Sequence, residues 1–398
     1  MSHESVSVDP VATTTPGQKV TPWEVEAAGG VDYEKLMRDF GAQAIDAALI
    51  ARIERATGRK AHVFLRRGLF YSHRDLEAIL TAHEAGQPFY LYTGRGPSSD
   101  SLHFGHLVPF MFTKYLQEAF DVPLVVQMTD DEKFLWKGHT LDEMHKFLIE
   151  NVKDIIACGF DIQKTFIFSN FAYMGHMYPL VVQIQRLISA HTAAAAFGFD
   201  DQSNVGKWAF PATQAAPSFS SAFPHIFGGR KDVPCLIPCA IDQDPYFRVT
   251  RDVAPRLGLL KPSLIHSKFF PALQGHHTKM GASDPNSAIF LTDDPRTVAD
   301  KVKKHAFSGG GATKEEQLAH GANLEVDVAY QWLRFFLDDD DRIDDIGRRY
   351  AKGDETMLTG HVKQILIDVL NDMIAKHKAA RAQLTDATVA TFMAVRKM

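Results

Sequence analysis

The sequence predicts a parallel α/β fold followed by a helical C-terminal region. Five short apolar segments, rich in β-branched and aromatic residues, alternate with stretches of helical periodicity. This alternation is typical of a parallel sheet that is covered by helices. From about Asn286 to the C-terminus the pattern is helical throughout. The 398 residues are enough for two or three domains.

The first elements are predicted to be a tail and two helices. Residues 1–18 are polar, lack the apolar core of a signal peptide, and are expected to form a flexible tail. The stretch AQAIDAALIARIERATG has apolar residues at helical spacing and ends at Gly58. A second helix, HRDLEAILTAHEAG, is predicted to be capped by Ser72 and to stop at Gly86.

The predicted strands are short apolar runs that end in glycine or polar residues. They are PFYLYTG (88–94), VPLVVQMTD (122–130), KTFIFS (164–169), VPCLIPCAID (233–242) and PSLIHSKF (262–269). Because ligands of parallel sheets bind beyond the carboxyl ends of the strands, the site is expected where these runs end. The segment of about 138–232 is predicted to be mostly helical, and we interpret it as an insertion between two halves of a nucleotide-binding fold.

Composition and charge exclude several classes of protein. The chain is 45% hydrophobic and 23% charged, with a net charge of −5, so that any RNA contact must use a local basic patch. No apolar stretch of 18 residues is found, and no transmembrane helix is expected. Three cysteines, Cys158, Cys235 and Cys239, do not form a disulfide framework and fit a reducing compartment. Cys235 and Cys239 are predicted to be buried strand residues rather than a metal pair.

Two histidines follow a glycine-rich turn in the stretch TGRGPSSDSLHFGHLVPF. Since proline is tolerated near the start of a helix, Pro109 predicts that the next helix begins near Gly105 or His106. His103 and His106 then lie at a helix N-terminus, where free N–H groups and the helix dipole favour anions. Glycines such as Gly94 and Gly105 allow the backbone to approach a ligand closely.

The local pattern leaves three interpretations of these histidines. They can bind phosphate, bind a metal, or be two surface residues on a turn. Their spacing of three, without an intervening glutamate, differs from the helical zinc motif H-E-x-x-H.

The histidine stretch is one of two signatures that resemble those of a known family. HFGH after YTGRGPSS is similar to the HIGH signature of class I aminoacyl-tRNA synthetases, and HHTKMGASDPN, about 170 residues later, is similar to their KMSKS signature. The segments VQMTDDEKFLWK, FPATQAAPSFS, CAIDQDPYFRVTRDVAPR and FFPALQG resemble tryptophanyl-tRNA synthetases of the eukaryotic cytosolic type. The likeness runs from about Val20 to the C-terminus.

This resemblance implies a domain organisation and an activity. It implies a Rossmann-like catalytic domain over 19–285, whose insertion at about 138–232 forms a homodimer, and a helical anticodon-binding domain over 286–398. The implied enzyme is cytoplasmic. It joins L-tryptophan and ATP into tryptophanyl-adenylate, releases pyrophosphate, and esterifies tRNA(Trp). Mg²⁺ is expected to travel on the ATP phosphates, and no zinc or other protein-bound metal is expected.

The resemblance also implies roles for individual residues. The catalytic group is His103, His106 and Lys279. The indole N–H is received by Tyr92 and Gln127, because burying it without an acceptor costs about 1–3 kcal/mol. The substrate α-ammonium is held by Glu132, Gln214 and Gln243. ATP is bound by Gly94, Arg95, Gly105, Asp242, Met280 and Ser283.

The second signature departs from KMSKS at two positions. Gly281 replaces a serine, and Ala282 replaces the second lysine, as in the eukaryotic tryptophan enzymes. Asp284 and Pro285 are predicted to be the N-cap and first residue of the next helix. The stretch VTPWEV also resembles the eukaryotic family, where it covers the ATP site.

Three alternative functions remain at this point. A tyrosyl-tRNA synthetase shares the fold, and a non-tRNA nucleotidyltransferase shares the histidine signature. A catalytically silent binding protein is the third, although the two histidines and Lys279 are intact.

Overall fold

The computed structural model describes residues 14–15, 18–20, 25–27, 31–280, 284 and 286–398. In 14–15, 18–20, 25–27 and 276–279 it describes the backbone alone. Most of the predicted tail, the centre of VTPWEV, and the positions of Gly281, Ala282, Ser283 and Pro285 lie outside these residues.

Helices predominate, and the strands are short. The strands are β1 (Thr14–Thr15), β2 (Gln18–Val20), β3 (Val25–Ala27), β4 (Gln43–Ala44), β5 (Phe70–Arg74), β6 (Tyr90–Arg95), β7 (Leu124–Met128), β8 (Thr165–Ser169), β9 (Cys235–Ala240), β10 (Ser263–Ser267), β11 (Pro271–Ala272) and β12 (Gly275–Lys279). The helices up to residue 253 are α1 (Tyr33–Phe40), α2 (Ala47–Thr57), α3 (Val63–Arg66), α4 (Leu76–Glu84), α5 (Phe104–Phe120), α6 (Asp130–Trp136), α7 (Leu141–Ala157), α8 (Asn170–Gln185), α9 (Ala190–Phe197), α10 (Val205–Ala215), α11 (Pro224–Phe227) and α12 (Asp244–Val253). The helices after residue 290 are α13 (Pro295–His305), α14 (Lys314–His320), α15 (Val328–Phe336), α16 (Asp340–Ala351), α17 (Thr359–Ala382) and α18 (Asp386–Met393).

A seven-stranded sheet forms the centre of the protein, in the order β4-β5-β10-β9-β6-β7-β8. The five strands from β10 to β8 are parallel, and β5 and β4 continue the sheet antiparallel at one edge. The five predicted strands are therefore confirmed, as is the Rossmann-like fold class. The first parallel strand, β6, lies between β9 and β7. The strand order reverses at this point, which is where such sheets bind ligands.

The segment 138–232 is mostly helical, but it also contains one strand of the sheet. α7 precedes β8, which pairs with β7 in parallel. The helices after β8, from α8 to α11, extend the sheet domain before the chain returns to the sheet as β9. Cys235 and Cys239 both lie in β9, as predicted, but only Cys235 is buried, whereas Cys239 is half-buried.

The prediction that a helix is capped by Ser72 is wrong. Ser72 lies in β5, opposite His266 of β10, and its Oγ is 3.1 Å from Nδ1 of that histidine. α4 begins at Leu76, after Asp75 in the left-handed region with φ of 54°. Pairing with a distant strand thus overrides the local capping pattern. The predicted stop is confirmed, since α4 ends just before Gly86.

The predicted Asp-Pro cap is also wrong in its position. Asp284 accepts the backbone N–H of Asn286 at 2.9 Å within a turn. The next helix, α13, begins ten residues later, at Pro295. Its N-cap Asp294 accepts two backbone N–H groups at 2.9 Å each. Two Asp-Pro pairs stand ten residues apart in this part of the sequence, and the second pair, Asp294 and Pro295, starts the helix.

The C-terminal helices pack against the sheet domain through buried ionic contacts. Asp154 of α7, 2% exposed, accepts the backbone N–H of Leu102 at 3.1 Å and lies 3.2 Å from Nε2 of His377 in α17. Arg381 of α17 donates to Asp154 and to Glu150. One carboxylate thus connects α17 to the loop that precedes His103. In the part of the chain that the structure describes, no helix is long and apolar enough to cross a membrane.

We expect Asp154→Ala to lower the free energy of unfolding by about 1–3 kcal/mol, because the backbone N–H of Leu102 and the ring of His377 lose their buried partner while Arg381 keeps Glu150. Asp372→Ala on α17 is the control, since Asp372 and Lys376 form an ion pair with both side chains more than half exposed. That change should cost at most about 1 kcal/mol. Urea unfolding measures both values, and equal losses would contradict a structural role for Asp154.

Candidate active site

The site begins where β6 and β7 end side by side. In the parallel register, Gly94 of β6 lies opposite Gln127 of β7. The hydroxyl of Tyr92 is 2.5 Å from Oε1 of Gln127 and 2.9 Å from the backbone carbonyl oxygen of Gln214 in α10. Tyr92 is 2% exposed and Gln127 is fully buried. Burial raises the pKa of Tyr92 well above its usual range, so the hydroxyl keeps its proton.

A cavity of about 220 Å³ lies beside this contact, between the ends of β6 and β9 and the starts of α5 and α12. Its walls combine apolar side chains with a few polar groups, which is typical of a small-molecule site. The lining residues are Tyr92, Thr93, Gly94, Pro109, Ile237, Pro238, Cys239, Ala240, Asp242, Gln243 and Phe247. The cavity therefore brings together four of the predicted site residues, namely Tyr92, Gly94, Asp242 and Gln243.

The acidic stretch TDDEK, at the start of α6, is largely buried. Asp130 is 2% exposed and Glu132 is 9% exposed. Glu132 accepts the hydroxyl of Thr129 at 2.8 Å and pairs with Nζ of Lys133 at 2.7 Å. Burial raises the pKa of Asp131 to about 6, against hydrogen bonds that lower it. The sequence alone would place these charges on the surface, but pairing of β7 between β6 and β8 brings them inside.

Gly96 allows the turn after β6 to pass close to this acidic group. A Cβ atom at Gly96 would lie 2.2 Å from Cε of Lys133 and 2.8 Å from Oε2 of Glu132, so a larger residue would displace both side chains. Arg95, the preceding residue, donates from Nε to Asn151 at 3.1 Å. Its Nη2 is buried and has no hydrogen-bond partner among the described residues. Burial lowers the pKa of Arg95 to about 10, which leaves it positively charged at neutral pH.

The two histidines lie at the N-terminus of α5. That helix begins at Phe104, one or two residues earlier than predicted, with His103 as its N-cap. The His103 and His106 rings stack with their centroids 3.5 Å apart. His103 is 3% exposed, and both of its ring nitrogens lack a hydrogen-bond partner within the described ranges. Burial, together with the charge of Arg95, lowers the pKa of His103 to about 3, so this ring is neutral at physiological pH.

Gly105 and Met280 lie next to His103. A Cβ atom at Gly105 would be 3.1 Å from Cε1 of His103 and 3.2 Å from Sδ of Met280, so glycine leaves room for both side chains. Lys279 ends β12, and its backbone is paired with Pro271 of β11. The side chain of Lys279, and all of Ser283, lie outside the described part of the chain.

The structure adds residues that the sequence analysis did not identify. Asp244, the first residue of α12, is fully buried. Arg74 of β5 donates to it at 2.6 Å and 2.8 Å, and Nε2 of His266 lies 3.1 Å from the same carboxylate. Burial alone would raise the pKa of Asp244, but these partners lower it to about 2. The cluster fixes the turn that carries Asp242 and Gln243.

Asn170, the first residue of α8, is another residue of this kind. Its side chain joins Gln127 to Asp131 by hydrogen bonds of 2.9 Å and 2.7 Å. Asp244 lies within CAIDQDPYFRVTRDVAPR, whereas Asn170 lies outside the segments that carry the resemblance. The partners of both residues come from elements that are distant in the sequence.

Paired histidines at the N-terminus of the helix after the first parallel strand, beside a cavity at the switch point of the sheet, are the arrangement that the resemblance to class I aminoacyl-tRNA synthetases implies. The model of the family described as tRNA synthetases class I (W and Y) matches residues 84–371.

Relatives of known name and solved structures agree with this class. The cytoplasmic tryptophan–tRNA ligase of Dictyostelium discoideum is 60% identical over 395 residues, which cover 98% of each chain. The tryptophanyl-tRNA synthetase structure from Giardia lamblia is 44% identical with a TM-score of 0.86, covering 94% of this chain and 98% of that one. A tryptophan-bound structure from Encephalitozoon cuniculi is 40% identical with a TM-score of 0.85, covering 92% of this chain and 98% of that one.

The chain belongs to the class I tRNA synthetases of the tryptophan and tyrosine family. Within that family, its resemblance to the tryptophan–tRNA ligases is confirmed, which supports this interpretation over the tyrosyl enzyme, a non-tRNA nucleotidyltransferase or a silent binding protein. The prediction of an enzyme is confirmed by the same relatives. The cytoplasmic location agrees with the name that the relative carries.

The neutral state of His103 predicts a pH dependence of stability. The unfolded chain binds a proton at this histidine below pH 6.5, whereas the folded chain does so only near its pKa of about 3. His103 therefore contributes a loss of stability as the pH falls through this window, amounting to about 2 kcal/mol between pH 6.5 and 5. In His103→Gln, the free energy of unfolding, measured with urea, should therefore fall by about 2 kcal/mol less than in the wild type between pH 6.5 and 5. The surface change His320→Gln is the control, and a His103→Gln protein with the full wild-type loss would contradict the neutral assignment.

Proposed function

We propose that the chain activates L-tryptophan with ATP and then esterifies tRNA(Trp) with the activated amino acid. A carboxylate oxygen of tryptophan attacks the α-phosphorus of ATP, the bond between the α- and β-phosphates breaks, and pyrophosphate leaves. A ribose hydroxyl at the tRNA 3′ end then attacks the carbonyl carbon, and AMP leaves. The contact between Tyr92 and Gln127 beside the 220 Å³ cavity is the observation that supports this substrate most directly.

We propose that the indole ring occupies this cavity with its N–H directed at Tyr92 and Gln127. Phe247 and Pro109 supply apolar walls, while the hydroxyl and amide oxygens supply hydrogen-bond acceptors. A site built to bond a substrate N–H rejects analogues that lack it far more strongly than an apolar site does.

The amino and carboxyl groups of the substrate are assigned to the polar end of the site. Glu132, Gln214 and Gln243 are proposed to hold the α-ammonium. Glu132 carries the negative charge, and Gln243 lines the cavity, which supports both assignments. The backbone carbonyl oxygen of Gln214 contacts the Tyr92 hydroxyl. We therefore propose that Gln214 reaches the substrate with this oxygen as well as with its side-chain amide.

ATP is proposed to lie across the N-terminus of α5. His103 and His106 donate to phosphate oxygens that gain charge in the transition state, and Lys279 neutralises the pyrophosphate. The remaining ATP contacts are assigned to Gly94, Arg95, Gly105, Asp242, Met280 and Ser283. The buried and unpaired Nη2 of Arg95 and the N–H of the His103 ring support this assignment, because unpaired donors are stabilised by an anionic partner. Enzymes of this class use ATP, and we propose that Mg²⁺ binds through its phosphates and that the chain holds no zinc.

A homodimer is proposed to form on α8. Phe171, Tyr178 and Val182 are 52%, 57% and 42% exposed, and their spacing of seven and four residues places them on one face of the helix. An apolar stripe of this kind is covered when a second copy packs on it.

The domain roles are likewise proposals. Residues 19–285 are assigned to catalysis, with the insertion of about 138–232 providing the dimer face. The helices α13–α18, within 286–398, are assigned to binding the anticodon end of the tRNA.

We expect His106→Ala to raise the barrier of adenylate formation by about 2–4 kcal/mol, with little change in tryptophan affinity, because one donor to the phosphate is lost. Tryptophan-dependent ATP–pyrophosphate exchange measures the rate. His361→Ala is a matched control, since His361 has the same position in the first turn of α17 and accepts the N–H of Leu358 at 3.0 Å. A folded His106→Ala enzyme with the wild-type exchange rate would rule out a role for His106 in the reaction.

We expect Gln127→Ala to lower kcat/KM for tryptophan by about tenfold or more, since the indole pocket loses an acceptor and the Tyr92 hydroxyl loses its partner. Gln117→Ala is the control, because Gln117 is equally buried but bonds Thr165, at 2.9 Å, and not Tyr92. If the two variants lose the same amount, the assignment of the indole pocket fails.

A further inference from the structure

A one-way chain of side-chain hydrogen bonds ends at the proposed indole site. Nδ2 of Asn170 donates to Oδ1 of Asp131 at 2.7 Å. Oδ1 of Asn170 accepts Nε2 of Gln127 at 2.9 Å. The hydroxyl of Tyr92 lies 2.5 Å from Oε1 of Gln127. Asn170 and Gln127 are both fully buried, so water does not compete for these bonds.

Two groups that can only accept fix the direction of this chain. The carboxylate of Asp131 accepts Nδ2 of Asn170 and also the backbone N–H of Glu132, at 2.8 Å. It therefore turns the Asn170 oxygen towards Gln127. The backbone carbonyl of Thr213 accepts the other hydrogen of Gln127 Nε2, at 3.1 Å. This carbonyl has no helical donor four residues on, because Pro217 stands there and proline has no N–H.

The fixed amide leaves an excess of acceptors around Tyr92. With both Nε2 hydrogens of Gln127 engaged, its oxygen must face the tyrosine. The Tyr92 hydroxyl has a single proton, yet it lies within hydrogen-bond distance of two acceptors, Oε1 of Gln127 and the carbonyl oxygen of Gln214. A ligand with one further hydrogen-bond donor satisfies the remaining acceptor, whereas a ligand with an acceptor at this position finds no free donor.

We infer that Asn170 and Asp131 are specificity-determining positioning residues, which act by holding the Gln127 amide oxygen towards Tyr92 so that the site recognises the indole N–H. The inference rests on the proposed function, in which Tyr92 and Gln127 receive this N–H. Without Asn170, only the Thr213 carbonyl still holds the Gln127 NH₂ group. The amide then rotates more easily to present this group to Tyr92. The pocket then loses its preference for a donor while its shape is retained.

The test compares tryptophan with an analogue in which sulfur replaces the ring N–H, β-(3-benzothienyl)alanine. Both are assayed by amino-acid-dependent ATP–pyrophosphate exchange, and the measured quantity is the ratio of their kcat/KM values. The wild type should strongly favour tryptophan. Asn170→Ala should lower kcat/KM for tryptophan about tenfold and change that for the analogue much less, so the ratio should fall about tenfold.

Variants of Asp131 keep the test decisive if Asn170→Ala fails to fold. Asp131→Ala should lower the ratio in the same way. Asp131→Asn should preserve it, because its amide oxygen still accepts the donors from Asn170 and Glu132. Ser169→Ala, which removes the N-cap of α8 but leaves the chain of amides intact, should leave the ratio at the wild-type value.

Each contrary result has a distinct meaning. Equal losses for tryptophan and the analogue in Asn170→Ala or Asp131→Ala would overturn the inference, since a structural defect alone affects both substrates. A wild-type enzyme that uses the two amino acids equally well would instead overturn the proposed recognition of the indole N–H, and the inference with it.

Discussion

The hydrogen bond between Tyr92 and Gln127 is the contact on which the rest of the site depends. It joins neighbouring strands, and it is buried, so its geometry follows from the parallel register of β6 and β7. A one-residue slip in that register would turn one of the two side chains to the other face of the sheet. The order of the strands thus fixes the proposed amino acid pocket before any loop contributes. It also places the cavity at the switch point, beside the N-terminus of α5.

Buried polar groups connect this pocket to the surrounding helices. On one side, Gln127 and Asn170 link β7 to α8, the helix with the exposed apolar stripe. On the other side, α7 holds the loop between β6 and α5, through Asn151 to the carbonyl of Ser99 at 2.6 Å and through Asp154 to Leu102. Asp154 also contacts α17, so the loop before the histidines, the catalytic sheet and the C-terminal helices share one network. Such networks are costly when one member is missing, which favours a single arrangement.

The sequence predicted the five parallel strands and the helix stops at Gly58 and Gly86, because apolar periodicity and glycine stops are local signals. The prediction failed where a contact with a residue distant in the sequence determines the local structure. Ser72 has a good capping pattern but pairs with His266 in the sheet, and Asp284 has the same pattern as Asp294 yet starts only a turn. For the site, the resemblance supplied Tyr92 and Gln127, and the structure brings them into contact. Asn170 lies outside the segments that carry the resemblance, and Asp244 lies within one of them, but the contacts of both residues are with residues that only the fold brings near. The roles of all the site residues stay predictions, and for Lys279 and Ser283 the structure does not describe the side chains either.

The central claim is that the indole N–H of tryptophan is received by the acceptors at the ends of β6 and β7. A crystal structure of the enzyme with bound tryptophan tests it most directly. The account predicts the indole nitrogen at about 3 Å from the hydroxyl oxygen of Tyr92 or Oε1 of Gln127, with the ring beside Phe247. An indole nitrogen that instead bonds water or a residue outside this group, with Tyr92 and Gln127 still bonded to each other and out of reach, would contradict it.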